Sequence, residues 1–101
     1  MSRNTTGYEN TAVGLDALGY NTEGIANTAT GHKALSKNLT GNSNAAFGSQ
    51  ALRDNTTGYQ NTAMGANALI SNTTGVMNTA IGFDADVGSV DLQNATAIGW
   101  G

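Results

Sequence analysis

The sequence predicts an all-β protein, a β-solenoid of about six coils, and three observations carry that expectation. A seventeen-residue unit recurs without insertion from Asn4 onward; glycine returns at two fixed phases within it; and short alternating runs such as Asn61-Thr62-Ala63-Met64-Gly65 lie between those glycines. A repeat at constant spacing marks a supersecondary unit that cannot bury its apolar face alone and is completed by its neighbours. Alternation over a few residues fits a strand with two unlike faces. A helix needs longer uninterrupted segments and loses about 1 kcal/mol at each interior glycine.

Residues 1–3 form a leader, and 4–101 read as one repeat domain. The units are NTTGYENTAVGLDALGY (4–20), NTEGIANTATGHKALSK (21–37), NLTGNSNAAFGSQALRD (38–54), NTTGYQNTAMGANALIS (55–71) and NTTGVMNTAIGFDADVG (72–88), then the partial unit SVDLQNATAIGWG (89–101). The fourth position is glycine at Gly7, Gly24, Gly41, Gly58 and Gly75; the eleventh is glycine at Gly14, Gly31, Gly48, Gly65, Gly82 and Gly99. These read as turns that need either a positive φ or a close approach between coils. Asparagine holds the first position in five units and the seventh at Asn10, Asn27, Asn44, Asn61 and Asn78. Stacked corners are the expectation, because asparagine tolerates left-handed backbone and bonds to local backbone groups.

The tenth position (Val13, Thr30, Phe47, Met64, Ile81, Ile98) and the fifteenth (Leu18, Leu35, Leu52, Leu69) hold the bulky apolar residues. Two short strands per coil are expected to turn both rows inward. Alanine fills the ninth position throughout (Ala12, Ala29, Ala46, Ala63, Ala80, Ala97) and the fourteenth in five units. One alanine row is then expected to face outward as a narrow stripe suited to close packing against another chain. With so few large side chains per coil, a lone column buries little, and the missing burial is expected from neighbouring copies.

Composition narrows the function. Much of the 39% hydrophobic content is alanine, and 11% charged residues is too few for a charge-rich disordered tail. A formal charge of -3 with four Lys plus Arg offers no basic patch for nucleic acid or an anionic membrane. The absence of cysteine removes disulfides and CxxC motifs. No apolar run reaches the roughly 20 residues of a membrane span, and Met1-Ser2-Arg3 leads straight into the repeat, so no signal peptide is expected within this chain. Export or anchoring machinery is expected outside this chain.

The repeated NTAxG and AL segments, and most closely Asn94-Ala95-Thr96-Ala97-Ile98-Gly99, resemble the head repeats of trimeric autotransporter adhesins and related phage tail-fibre proteins. The resemblance covers nearly the whole chain. It implies a left-handed parallel β-roll, three chains side by side, on a cell or virion surface. This unit is longer than the adhesin one, with an added NTTG-type corner, and the NTTGxxNTAxG style leans towards a tail fibre.

Towards the end Asp84, Asp86 and Asp91 appear and Asp86 replaces the row leucine, so Val87, Val90 or Leu92 is expected to take over the core. The near-perfect first unit and the stop at Trp100-Gly101 read as a piece of a longer fibre, with Trp100 packed on the next module of that fibre.

Site chemistry is sparse. His32, the only histidine, reads as an exposed turn residue rather than a threefold metal site. Asp16, Asp54, Asp84, Asp86 and Asp91 lack calcium-binding repeat spacing and read as solvated charge. No GxSxG, P-loop or HExxH motif occurs, so no enzyme, cofactor or metal is expected. Threonine shares one phase at Thr5, Thr22, Thr56 and Thr73 and another at Thr11, Thr28, Thr62 and Thr79. Such ladders suit ice or glycans, but threonine is also an ordinary strand and turn former. Asn4, Asn38, Asn55, Asn72 and Asn94 begin N-x-T sequons that the repeat itself generates. Tyr8 and Tyr59 are the candidate surface contacts for sugar rings.

The resulting expectation is a homotrimeric, non-enzymatic module of a surface fibre that contacts a cell-surface glycan or protein receptor or acts as a rigid spacer, with no nucleic acid partner and no membrane insertion. A monomeric ice-binding solenoid is the alternative. A left-handed β-helix of the acyltransferase type is third, since it calls for eighteen-residue coils and a catalytic histidine.

Overall fold

A computed structural model describes residues 3–88 and 90–99. Six strands, β1 (Thr11–Val13), β2 (Thr28–Thr30), β3 (Ala45–Phe47), β4 (Thr62–Met64), β5 (Thr79–Ile81) and β6 (Thr96–Ile98), form one parallel sheet in sequence order. Every pair joins residues seventeen apart, as in Ala29↔Ala46 and Ala46↔Ala63. The chain is a β-solenoid of about five turns, measuring 34 × 23 × 16 Å.

Each coil contributes one strand, where two were expected. The second half of the unit is a run of turns, because its thirteenth and fifteenth positions hold backbone that no strand adopts: φ is 60° at Lys33, 61° at Gln50, and 51° at both Leu35 and Leu52. Alternate amides bond locally and across coils. Ala34 N–H donates to Gly31 O at 3.2 Å and Ser36 N–H to Lys33 O at 3.2 Å, while Leu35 N–H donates to Ala51 O at 3.0 Å and Lys37 N–H to Arg53 O at 3.1 Å. A left-handed leucine costs roughly 1–2 kcal/mol. Full burial of its side chain returns about 1.5–3 kcal/mol, and Leu18, Leu35, Leu52 and Leu69 are all 0% exposed.

The interior corrects the expected core. Leucine at position fifteen points inward, but the tenth-position row is outside: Val13, Phe47, Met64, Ile81 and Ile98 are 40 to 76% exposed. Alanine takes the inner place, with Ala29, Ala46, Ala63 and Ala80 at 0% and Ala34, Ala51 and Ala68 at 0% on the fourteenth row. Neither alanine row is therefore an outward stripe. Successive strand residues point to opposite faces, so the ninth and tenth positions cannot share an interior. The coil is so narrow that a methyl group is what fits between the sheet and the leucine turn.

Asparagine completes that interior. Asn38 Nδ2 donates to Asn21 Oδ1, Asn55 Nδ2 to Asn38 Oδ1 and Asn72 Nδ2 to Asn55 Oδ1, each at 2.8 Å. The same Nδ2 atoms also reach the glycine carbonyl three residues on, as in Asn55 to Gly58 O at 2.9 Å. In a second ladder the backbone N–H of Asn44, Asn61 and Asn78 donates to Oδ1 of the asparagine one coil earlier at 3.0 Å. None of these residues has a positive φ; left-handed backbone falls instead at the sixth, eleventh, thirteenth and fifteenth positions, and at Gly88. The amides are buried ladders rather than corners, and among the described residues no buried side-chain nitrogen or oxygen lacks a partner.

The two glycine phases serve different needs. Gly31 has φ +128°, and a β-carbon there would lie 2.6 Å from the Gly48 carbonyl. Gly41 is not left-handed, but a β-carbon would strike Gly58 O and Asn38 Oδ1. Where Asp86 interrupts the leucine row, Val87 packs against the core, whereas Val90 and Leu92 are exposed. Trp100 lies outside the described residues.

Candidate functional site

Two exposed features stand out once the interior is assigned. The first is the outer face of the sheet, built from the eighth and tenth positions. In-register pairing sets Phe47 beside Met64, Met64 beside Ile81 and Ile81 beside Ile98, at the ~4.8 Å spacing of neighbouring strands. Leu15 and Phe83 add exposed apolar surface two residues beyond this row. Isolated surface hydrophobics are ordinary, but a contiguous row marks an interaction surface.

Thr28, Thr62 and Thr79 accompany that row at the eighth position, with Ala45 breaking the line. The other threonine phase is committed to the fold: Thr22 Oγ1 donates to Leu39 O at 3.2 Å and Thr56 Oγ1 to Thr73 O at 3.3 Å. Its hydroxyls tie coil to coil instead of offering a ladder to a ligand.

The second feature lies on the turn runs of the first three coils. A groove of about 590 Å³ is lined by Arg3, Asp16, Gly19, Tyr20, Lys33, Ser36, Lys37 and Arg53. Those four cations are all the Lys and Arg of the chain, so the expectation of no basic patch is corrected. The seventeen-residue register brings together residues that are as far apart as Arg3 and Arg53. Arg53 Nε donates to Asp54 Oδ1 at 2.9 Å and Nη2 to Oδ2 at 3.3 Å, while Nη1 reaches Gln50 Oε1 at 2.8 Å. Lys37 Nζ lies 3.5 Å from the same carboxylate. The Arg53 hydrogen bond holds the Asp54 carboxyl below the usual carboxylate range, aided by the charges of Arg53 and Lys37 and opposed by partial burial. The guanidinium of Arg3 stands over the Tyr20 ring, 4.6 Å from its centroid.

The other candidates are dispersed. Tyr8 and Tyr59 are exposed at one phase but three coils apart, with Ile25 and Asn42 between them. His32 is exposed on a turn, and among the described residues no group of three or more His, Asp or Glu is placed to hold a metal ion. Asp86 Oδ1 accepts from the Val87 N–H at 2.8 Å. The sequon residues Asn38, Asn55 and Asn72 have buried, hydrogen-bonded amides that a glycan-transferring enzyme does not reach in the folded chain. Among the described residues no helix is long and apolar enough to cross a membrane.

No protein-family model, curated protein or solved structure matches the chain. Function is therefore read from the two surfaces.

Proposed function

We propose that the chain is a rigid module of a surface fibre, a left-handed β-roll that assembles as a homotrimer and presents its remaining surface to a cell-surface receptor or glycan. The carrying observation is the unbroken outer row from Phe47 through Met64 and Ile81 to Ile98, exposed along the sheet. With both alanine rows used inside the coil, this row supplies the apolar axis on which copies meet. The resemblance of the NTAxG units to trimeric adhesin and tail-fibre heads supports three copies and an adhesive or spacing role. Repetition along a stiff rod lets weak contacts add.

Size exclusion coupled to light scattering tests the assembly. A mass of three chains is expected, and a stable monomer at micromolar concentration overturns the proposal. The ice-binding alternative draws on Thr28, Thr62 and Thr79. Ala45 interrupts that row, and Phe47 and Met64 stand beside it, so the face lacks a flat hydroxyl lattice.

A further inference from the structure

We propose that the cationic groove on the first three coils binds a short acidic saccharide, bearing carboxylate or sulfate, through Arg3 and Lys33, with Tyr20 as the ring platform. The inference deepens the adhesive reading by naming the ligand class. The groove belongs to a single chain, so its failure and the failure of the trimer are read in separate measurements.

The repeat itself does not ask for cations here. The thirteenth position, Lys33 in the second coil, is Asp16, Gln50, Asn67 and Asp84 elsewhere. The sixteenth and seventeenth, which hold Arg53 and Lys37, carry Ile70 and Ser71 one or two coils on. The architecture therefore accepts neutral and acidic residues at these phases, and gathering like charges carries an electrostatic cost. Asp16 and Asp54 offset two of the four positive charges, while the five other carboxylates, Glu9, Glu23, Asp84, Asp86 and Asp91, do not line the groove. A chain of net charge -3 thus holds one locally positive site.

Within that site the charges divide into two kinds. Arg53 and Lys37 are engaged by Asp54, and Gln50 steadies the Arg53 guanidinium. Arg3 and Lys33 make no ion pair among the described residues, which leaves their donors for an incoming anion. Arg3 is held over the half-exposed Tyr20 ring, so a charge and an aromatic surface sit together. An acidic sugar presents the matching pair, an anionic group next to an apolar C–H face. The volume of about 590 Å³ falls within the roughly 300–1,000 Å³ of small-ligand sites. A long polyanion such as nucleic acid needs an extended positive track and meets net negative charge outside the groove.

Titration by isothermal calorimetry of the full chain tests this with four probes: sialyllactose for carboxylate, a heparin-derived tetrasaccharide for sulfate, neutral lactose, and a single-stranded oligonucleotide. Dissociation constants on the order of 0.1–1 mM are expected for at least one acidic saccharide, with lactose at least about tenfold weaker. Which acidic probe binds better identifies the anionic group. Raising salt from about 0.05 to about 0.3 M weakens binding by screening. Lys33→Glu and Arg3→Ala each weaken it at least about fivefold, while Glu9→Gln, outside the groove, leaves it unchanged. Circular dichroism and oligomeric mass verify that each variant keeps its fold. No binding by either acidic saccharide, equal binding by lactose, unchanged affinity in both groove variants, or tighter binding of the oligonucleotide overturns the proposal.

Discussion

Asparagine carries more of this fold than its place in the repeat suggests. Asn55 is fully buried; its Nδ2 serves Asn38 Oδ1 and Gly58 O, and its Oδ1 accepts from Asn72 Nδ2. Truncation to alanine leaves Asn38 Oδ1 without its donor, while Gly58 O keeps Asn44 Nδ2 and Asn72 Nδ2 keeps Gly75 O; a buried group left unpaired costs about 1–3 kcal/mol, so Asn55→Ala lowers the urea midpoint. Asn55→Asp is nearly isosteric and is expected to be worse at neutral pH, because a carboxylate oxygen then faces two acceptors. Burial raises the folded pKa of that carboxyl above its unfolded value, so the variant is more stable at pH 4 than at pH 7 and loses stability as pH rises through the folded value. Asn67→Asp is the control, since Asp16 and Asp84 already occupy that phase. Urea titrations at both pH values decide it: equal midpoints for Asn55→Asp and Asn67→Asp at pH 7 contradict the ladder's role. The glycine and leucine phases were legible in the sequence. The burial of asparagine was not, because an amide that also bonds to its own copies in adjacent coils looks the same, one unit at a time, as an amide at an exposed turn.

At the level of the coil, three-residue strands alternate with turn runs in which the left-handed residues at the thirteenth and fifteenth positions are not glycine. Positive φ at Lys33, Leu35, Gln50 and Leu52 folds the second half of the unit tightly enough to leave room for alanine alone opposite the leucine. This explains the inverted ninth and tenth rows. The period of two establishes that Ala46 and Phe47 lie on opposite faces, but only the width of the closed coil decides which is inside, and that width depends on turn backbone that composition does not announce. Glycine substitution separates the contributions. Gly48→Ala places a β-carbon 2.6 Å from the Gly65 carbonyl at φ +134°, whereas Gly88→Ala at φ +83° meets nothing within 4 Å. Backbone strain alone costs of order 1–3 kcal/mol, and only Gly48→Ala adds a collision with the next coil. A fall in denaturation midpoint at least about twice as large for Gly48→Ala is expected on those terms. Comparable losses for the two variants would mean that close stacking of coils is not what the eleventh position requires.

Across the whole molecule the seventeen-residue register acts as a sorting device: whatever a phase carries is collected into a line along the rod. It gathers alanine, leucine and asparagine inside, large apolar groups on the sheet, and the chain's few cations on one set of turns. The cations were invisible as a cluster in sequence because Arg3, Lys33 and Arg53 are far apart until the coils stack. Since the two outer features occupy different phases, they separate genetically. Met64→Asp places a charge in the middle of the apolar row, between Phe47 and Ile81, on a residue whose side chain is already exposed within its own coil. The isolated coil has no reason to unfold, but an apolar contact between copies would have to bury that carboxylate, which costs several kcal/mol when unpaired. The variant is therefore expected to keep its circular dichroism spectrum, run as a single chain in light scattering, and melt at a temperature independent of protein concentration, while the parent's melting temperature rises with concentration. Lys33→Glu, on the turns, leaves the assembled mass unchanged. If Met64→Asp still assembles with the parent's mass and concentration dependence, copies meet through some other surface, and the exposed row has to be explained by a different partner.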